Sequence, residues 1–374
     1  EGSSLDLLGV GVSGILAVLA RPPLMAVFMC GCVGLLIVML RHSSLRVALV
    51  QMCVIAVGFG LPAFIVAGLN QKLTGTFSIM PYSAGINLYI GNNPDWEKTV
   101  TARPGTRWDA ITSMPADVGI RAPYQQSEYF QKLVVEYARK DPPSFLRGLV
   151  QKTIRFCNSR ELPRNVDIYV FREWSSLLSA LTWKVGGFGF PFGVLMPLAV
   201  LAIFVMPRRI PFAFWSVLIP YPAVVILYFV SGRYRLLIVP ILAILAAASL
   251  VWLWQKARAR KWGQFASAAI FVAAVGWVSS YPKLFAEEDP KIHYKAELYR
   301  CIGRALYEEG KNEEALSYLQ TALQMHPEFV DALNETSLAL AKLGRTDEAF
   351  AYATNAVAKS PFDVALTYNL GLLY

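Results

Sequence analysis

Charge is scarce in this chain. Of its 374 residues, 16% are Asp, Glu, Lys or Arg, 55% are hydrophobic, and mean hydropathy is +0.42. Soluble domains carry about 25% charged and about 45–50% apolar residues. The apolar excess is gathered in long runs, which excludes an ordinary water-soluble globule. The five cysteines follow no metal-ligand or disulfide spacing: Cys30, Cys32 and Cys53 lie in apolar runs as small buried hydrophobes, and Cys157 and Cys301 are isolated. The three histidines, His42, His293 and His326, lie far apart in sequence. There is no glycine-rich phosphate loop ending in Lys, no His-Glu-x-x-His and no Gly-x-Ser-x-Gly. These absences exclude P-loop, zincin and serine-hydrolase chemistry. No signal peptide precedes the first apolar run, so the first helices must direct insertion. Glu1 is not a methionine, and Tyr374 falls inside a repeat, so both ends read as truncations.

What is present is a series of apolar stretches near the length of a membrane span, about 20 residues. They are Leu7–Ala20, Leu24–Leu40, Val47–Leu69, Phe188–Met206, Ile210–Val230, Leu236–Trp254 and Trp262–Tyr281. Seven spans are expected, the first of them cut, with a kink at Pro62. Basic loops separate them: Arg41–Arg46, Pro207–Arg209 and Lys256–Lys261. The net charge of +9 therefore reads as positive flanks on one membrane face and contact with lipid headgroups, with no nucleic-acid partner. Placing those loops in the cytoplasm puts residues 70–183, the Gly232–Arg235 turn and everything after Tyr281 on the outer side. Arg233 and Arg235 then break the charge rule, which marks that turn as a candidate functional site.

Residues 70–183 form the one large polar insertion. Within it, apolar spacing predicts a helix over Ser127–Lys140, with Ser127 as a candidate N-cap. A second, amphipathic helix is expected over Ser144–Asn158. Arg147, Gln151 and Arg155 fall on one side, and Phe145, Leu146, Leu149, Val150 and Ile154 on the other. Such a helix can lie in the headgroup plane or pack on its own domain.

From about Tyr294 a period of 34 residues appears. Gly310, Ala315, Ala322 and Pro327 recur as Gly344, Ala349, Ala356 and Pro361, and Gly303 recurs as Gly371 with Ser337 between them. Small residues at these positions admit close helix pairs, and proline ends each repeat. This is the signature of tetratricopeptide repeats, in two full copies and the start of a third. Further repeats are expected beyond residue 374, because a stable solenoid needs about three. Glu297, Arg300, Arg304 and Tyr307 should face the groove, as a solvated helix face or as a surface for a protein partner.

Three stretches together resemble bacterial membrane glycosyltransferases of the protein O-mannosyltransferase superfamily (glycosyltransferase family 39-like). They are Gly91-Asn-Asn-Pro-Asp95 within Gly85–Glu97, Glu161-Leu-Pro-Arg-Asn-Val-Asp167, and Gly232-Arg-Tyr-Arg235 ahead of a late apolar helix. The resemblance runs roughly from Arg21 to Pro282, and a subgroup of that superfamily also carries a repeat tail. It departs after Asn-Pro-Asp, where Trp96-Glu-Lys-Thr replaces the usual acidic and glycine residues.

The resemblance implies an all-α membrane protein with a C-type glycosyltransferase scaffold. The expected parts are 1–69 transmembrane, 70–183 outer-face, 184–281 four spans, and 282–374 an α-solenoid of repeats. It implies an inverting transfer of sugar from a polyprenyl-phosphate donor to a protein, lipid or glycan on the outer, periplasmic face of a bacterial inner membrane. The implied donor-phosphate residues are Arg233, Tyr234 and Arg235. The implied substrate-contact residues are Asn92, Asn93, Asp95, Glu161, Asn165 and Asp167, each with loop structure as its alternative role. The superfamily's catalytic carboxylate, and any divalent metal it binds, would lie upstream of this sequence. Two alternatives stay open: a polysaccharide polymerase or ligase, and a non-catalytic anchor that displays a repeat scaffold.

Overall fold

The computed structural model describes residues 3–102, 106–163, 167–281 and 293–374, which are predominantly helical. Each of the seven apolar stretches contains a helix, and four of the helices are long and apolar enough to cross a membrane: Leu24–His42, Leu45–Thr74, Val239–Arg258 and Trp262–Ser280. Ser4–Ala20, Phe192–Val205 and Phe212–Tyr228 are shorter. Pro62 is accommodated inside the Leu45–Thr74 helix. The stretch expected over Ile210–Val230 is broken instead at Ile219 and Pro220, because proline lacks the donor that a continuous helix needs there. Phe188–Phe190 is not helical. It pairs antiparallel with Trp183–Val185 in a short hairpin turned by Gly186, with Trp183 stacked on Phe190 at 5.3 Å.

The chain divides into two compact units. The first holds the apolar helices and most of the insertion. Its N-terminal helix Ser4–Ala20 packs on Leu45–Thr74 where Gly11 and Gly58 face each other. A Cβ at Gly11 would overlap the Ile55 carbonyl, and one at Gly58 the Leu8 carbonyl. Small residues give apolar helices the close packing that hydrophobic burial cannot drive in lipid. A second centre joins Phe192, Ala199, Tyr221, Val225, Ile238 and Leu242, with Phe156 of the insertion added at one end. On the outside the apolar side chains face outward; Ile270, for example, is 69% exposed.

Two helices of the insertion differ at their starts. The first runs Pro123–Lys140, because Pro123 is suited to the opening turn. Ser127 is therefore inside it rather than capping it, and its hydroxyl accepts from the Gly85 amide at 3.0 Å. The second runs Pro142–Phe156, capped by Asp141 through the Ser144 amide at 3.1 Å. Its expected apolar side is divided: Leu146 and Val150 are exposed, while Gly148, Lys152 and Phe156 are buried.

Among the described residues, the second unit comprises 293–374 with two pieces of the insertion, 106–111 and 167–180. The insertion is thus shared between units rather than forming one of its own. Lys295 pairs with Glu173 at 2.9 Å, and Trp174 lies 6.4 Å from Tyr299. The repeat helices are Tyr294–Glu308, Asn312–Met325, Val330–Lys342, Thr346–Lys359 and Val364–Gly371. Ala315, Ala322, Ala349 and Ala356 are all buried at the helix contacts, and Gly310 and Gly344 turn the chain with positive φ. Ala349 has no space for a larger group, and overpacking costs about 1–3 kcal/mol. Ala349→Trp should therefore open the tail to limited proteolysis while the apolar helices stay inserted, whereas the surface change Glu313→Ala should leave the cleavage pattern as in the parent.

Candidate functional site

The three motif stretches are far apart in sequence, and two buried cations join them in space. Gly91 lies so close to the end of the Pro220–Tyr228 helix that a Cβ would overlap the Tyr228 carbonyl. Lys152, 1% exposed, reaches the same place from the Pro142–Phe156 helix. Its Nζ donates to Asn92 Oδ1 at 2.8 Å, to the Gly91 carbonyl at 3.0 Å, and to the Leu227 and Tyr228 carbonyls at 3.3 Å each. The last two are carbonyls at a helix C-terminus, where a cation is favoured. Below it, Trp96 is nearly buried, with the Arg155 guanidinium 4.5 Å over its ring and paired to Glu97 at 2.6 Å.

Arg235 makes the second junction. Its side chain is 1% exposed. Nη1 donates to the carbonyls of Asn158 and Phe156, and Nη2 to the carbonyl of Arg160 and to Glu161 Oε2 at 3.0 Å. The guanidinium also lies 4.1 Å over the Phe192 ring. Beside it the Gly232 amide donates to the Leu162 carbonyl at 2.9 Å, and Tyr221 Oη donates to the Tyr234 carbonyl at 2.8 Å. Ser159 ties the same strand of chain to the hairpin: its Oγ donates to the Gly187 carbonyl and accepts from the Gly189 amide.

Several of the expected site residues are engaged by the protein itself. Asn92 and Asn93 do not offer free amides to a substrate. Asn92 Nδ2 donates to the Leu88 and Leu227 carbonyls, and its Oδ1 receives Lys152. Asn93 Nδ2 donates to the Tyr89 carbonyl and Thr99 Oγ1, and its Oδ1 caps the Asp95 amide. Both are buried, and both hold the loop. Arg235 is committed to protein oxygens, so its fork is closed to a phosphate, and Glu161 is its partner. Asp167 accepts from the Tyr169 amide at 3.0 Å and lies in the unit with the repeats, whereas Glu161 lies with the apolar helices. Asn165 lies outside the described residues. Asp95 faces solvent, paired with Lys98 at 2.8 Å. Arg233 is exposed, with its guanidinium 5.3 Å over the Tyr234 ring and Nη2 donating to Tyr234 Oη at 3.3 Å. Among the described residues no group of three or more His, Cys, Asp or Glu could hold a metal ion, so the implied divalent metal finds no fitting ligands there.

In the repeats, the four expected groove residues are partly engaged with one another. Arg300 pairs with Glu297 at 3.2 Å and with Glu335 of the next repeat at 2.5 Å, and Arg304 reaches Glu335 at 3.3 Å and Glu308 at 3.0 Å. Tyr307 is half-buried. His293 and His326, distant in sequence, come together with ring centroids 4.7 Å apart.

Lys152 was not singled out by its sequence context, yet a signal was there. It is the one cation in register with Phe145, Leu149 and Phe156, on the side of the helix that is otherwise apolar.

Residues 302–374 match the family model described as tetratricopeptide repeat. The C-terminal tail is thus a repeat segment of that kind, joined to a mostly helical chain with four helices able to span a membrane. Repeats of this type generally mediate protein–protein interaction. No curated protein matches the chain significantly.

Burial of the Lys152 ammonium pushes its pKa down from 10.5 to about 7. The unfolded chain therefore binds more protons between those values, and stability should rise as pH climbs from about 7 towards 10. Lys152→Met removes that titration and leaves Asn92 Oδ1 and the carbonyls unpaired. It should lower the melting temperature at pH 7 and flatten the rise between pH 7 and 10, measured by thermal unfolding in detergent.

Proposed function

We propose that this chain is part of a membrane glycosyltransferase that moves sugar from a polyprenyl-phosphate donor to an acceptor on the outer membrane face. The observation that supports this most is the assembly just described. The Gly91–Asp95 loop, the Glu161 segment and the Gly232–Arg235 turn, which carry the family resemblance, meet through Lys152, Arg235 and the end of the Pro220–Tyr228 helix. That assembly leaves Arg233 and Tyr234 presented together at its surface.

Arg233 has the chemistry for the donor. Its guanidinium stays charged at any relevant pH and meets phosphate through paired hydrogen bonds. In the reaction the anomeric carbon–oxygen bond to phosphate breaks, the acceptor oxygen forms the new bond, and the leaving phosphate takes the electron pair. Negative charge grows on that phosphate, so a fixed cation stabilises the transition state more than the bound donor. Arg235 serves the turn from behind, as a positioning residue. The acceptor's proton goes to a base that the resemblance does not carry onto any residue of this chain. The repeats, which hold two pieces of the same insertion, would lie on the outer side with it and offer a surface to a protein acceptor or partner.

The test is sugar transfer by the full-length protein from a polyprenyl-phosphate donor. Arg233→Ala should insert and fold but lose most turnover, at least about tenfold, with Arg233→Lys intermediate because it keeps the charge and loses the planar fork. Parent rates in both variants would make Arg233 a headgroup anchor and remove it from the donor site, whereas no transfer by the parent protein would favour a non-catalytic anchor for the repeats.

A further inference from the structure

At the opposite end of the Val239–Arg258 helix from Arg233 lies a second, unrelated basic feature. A cavity of about 360 Å³ opens between the end of the Phe192–Val205 helix and the end of Val239–Arg258. Met206, Arg209, Trp252, Gln255, Lys256 and Lys261 line it. Three of these six are cations and none is acidic. The sequence contains no Asp or Glu anywhere between Glu173 and Glu287. Among the described residues, Arg209, Lys256 and Lys261 make no ion pair.

The backbone builds this convergence. The Lys261 amide donates to the Lys256 carbonyl at 2.9 Å, and the Arg260 amide to the Ala257 carbonyl at 3.0 Å. This is the Schellman ending of a helix, whose turning residue adopts positive φ and is usually glycine. Gly75, Gly310 and Gly344 turn with positive φ just beyond other helices of this chain. Here the turning residue is Arg260, at φ 54, the one non-glycine residue with positive φ among those described. The left-handed turn carries Lys261 back beside Lys256, whose ammonium is held 4.8 Å over the Trp252 ring. Arg209 enters from the Pro207–Arg209 turn. General attraction to headgroups asks only for cations near the surface. It does not ask for three of them around one cavity, one brought there by a backbone conformation that disfavours a side chain.

We propose that this cavity binds a phosphate group, with Arg209 supplying a planar fork and Lys256 and Lys261 two point charges. The phosphate can belong to an anionic phospholipid headgroup or to a soluble diphosphate. Trp252 in its lining is the aromatic type that settles at the membrane–water boundary, and basic pockets between spans are suited to anionic headgroups.

The experiment uses the whole chain in uncharged detergent, titrated separately with cardiolipin, phosphatidylcholine and inorganic pyrophosphate, and read by native mass spectrometry and thermal shift. One variant changes the cavity: Arg209→Gln, Lys256→Gln and Lys261→Gln together. A control removes as many charges from the same end outside the cavity: Arg208→Gln, Arg258→Gln and Arg260→Gly, the last also easing the turn. Cardiolipin should bind more tightly than phosphatidylcholine, weaken at least about tenfold in the cavity variant and stay close to parent in the control. Pyrophosphate binding with the same variant pattern would keep the site and make its ligand soluble. Equal weakening in both variants, no preference over phosphatidylcholine, or no binding of either phosphate compound would overturn the proposal. Unchanged protease resistance of each variant guards against misfolding as the cause.

Discussion

One buried guanidinium organises the upper part of the apolar bundle. Arg235 gathers the carbonyls of Phe156, Asn158 and Arg160 and the carboxylate of Glu161. Those oxygens lie at the end of the Pro142–Phe156 helix and in the irregular stretch that follows it. Buried backbone oxygens need donors, and a fork of five N–H groups meets several of them at once. Truncating one partner of such a buried pair costs about 3–5 kcal/mol, since the other is left uncompensated. Lys152 does the same for the Gly91–Asn92 loop and the end of the Pro220–Tyr228 helix. Arg233, two residues from Arg235, is free to face outward because Arg235 does not.

Much of the fold was legible. Hydropathy alone marks seven apolar stretches, and the structure has a helix in each. Small residues and prolines recurring every 34 positions mark the repeats, because a tight helix contact admits only small side chains at Ala315, Ala322, Ala349 and Ala356. What hydropathy cannot see is backbone geometry within an apolar run. The break at Pro220 and the hairpin at Phe188–Phe190 are apolar either way, so the runs containing them looked continuous.

The site was less legible, for a different reason. The three stretches marked by the resemblance come together in space, but several of their side chains are already engaged by the protein itself. Asn92, Asn93, Glu161 and Arg235 are polar or charged groups outside the long apolar helices, which in sequence look available to a ligand. The partners of Asn92, Glu161 and Arg235 include residues some 60 to 135 positions away along the chain, which no local pattern records, whereas Asn93 is held within its own loop. Lys152 is the reverse case: its position on an apolar helix side shows that it must be buried, although not what it holds. The polar residues that remain outward, Arg233 and Asp95, are those whose neighbours leave them so.

Arg235 holds the Asn158–Leu162 stretch and the Gly232 turn as one piece. Amide hydrogen exchange tests it directly, because the Ser159 amide bonds the Ser279 carbonyl and the Gly232 amide bonds the Leu162 carbonyl, each at 2.9 Å. With Arg235→Lys, which keeps the charge but cannot span the same oxygens, both amides should lose protection together while the repeat helices keep theirs. Protection at Ser159 and Gly232 equal to that of the parent chain would contradict the account.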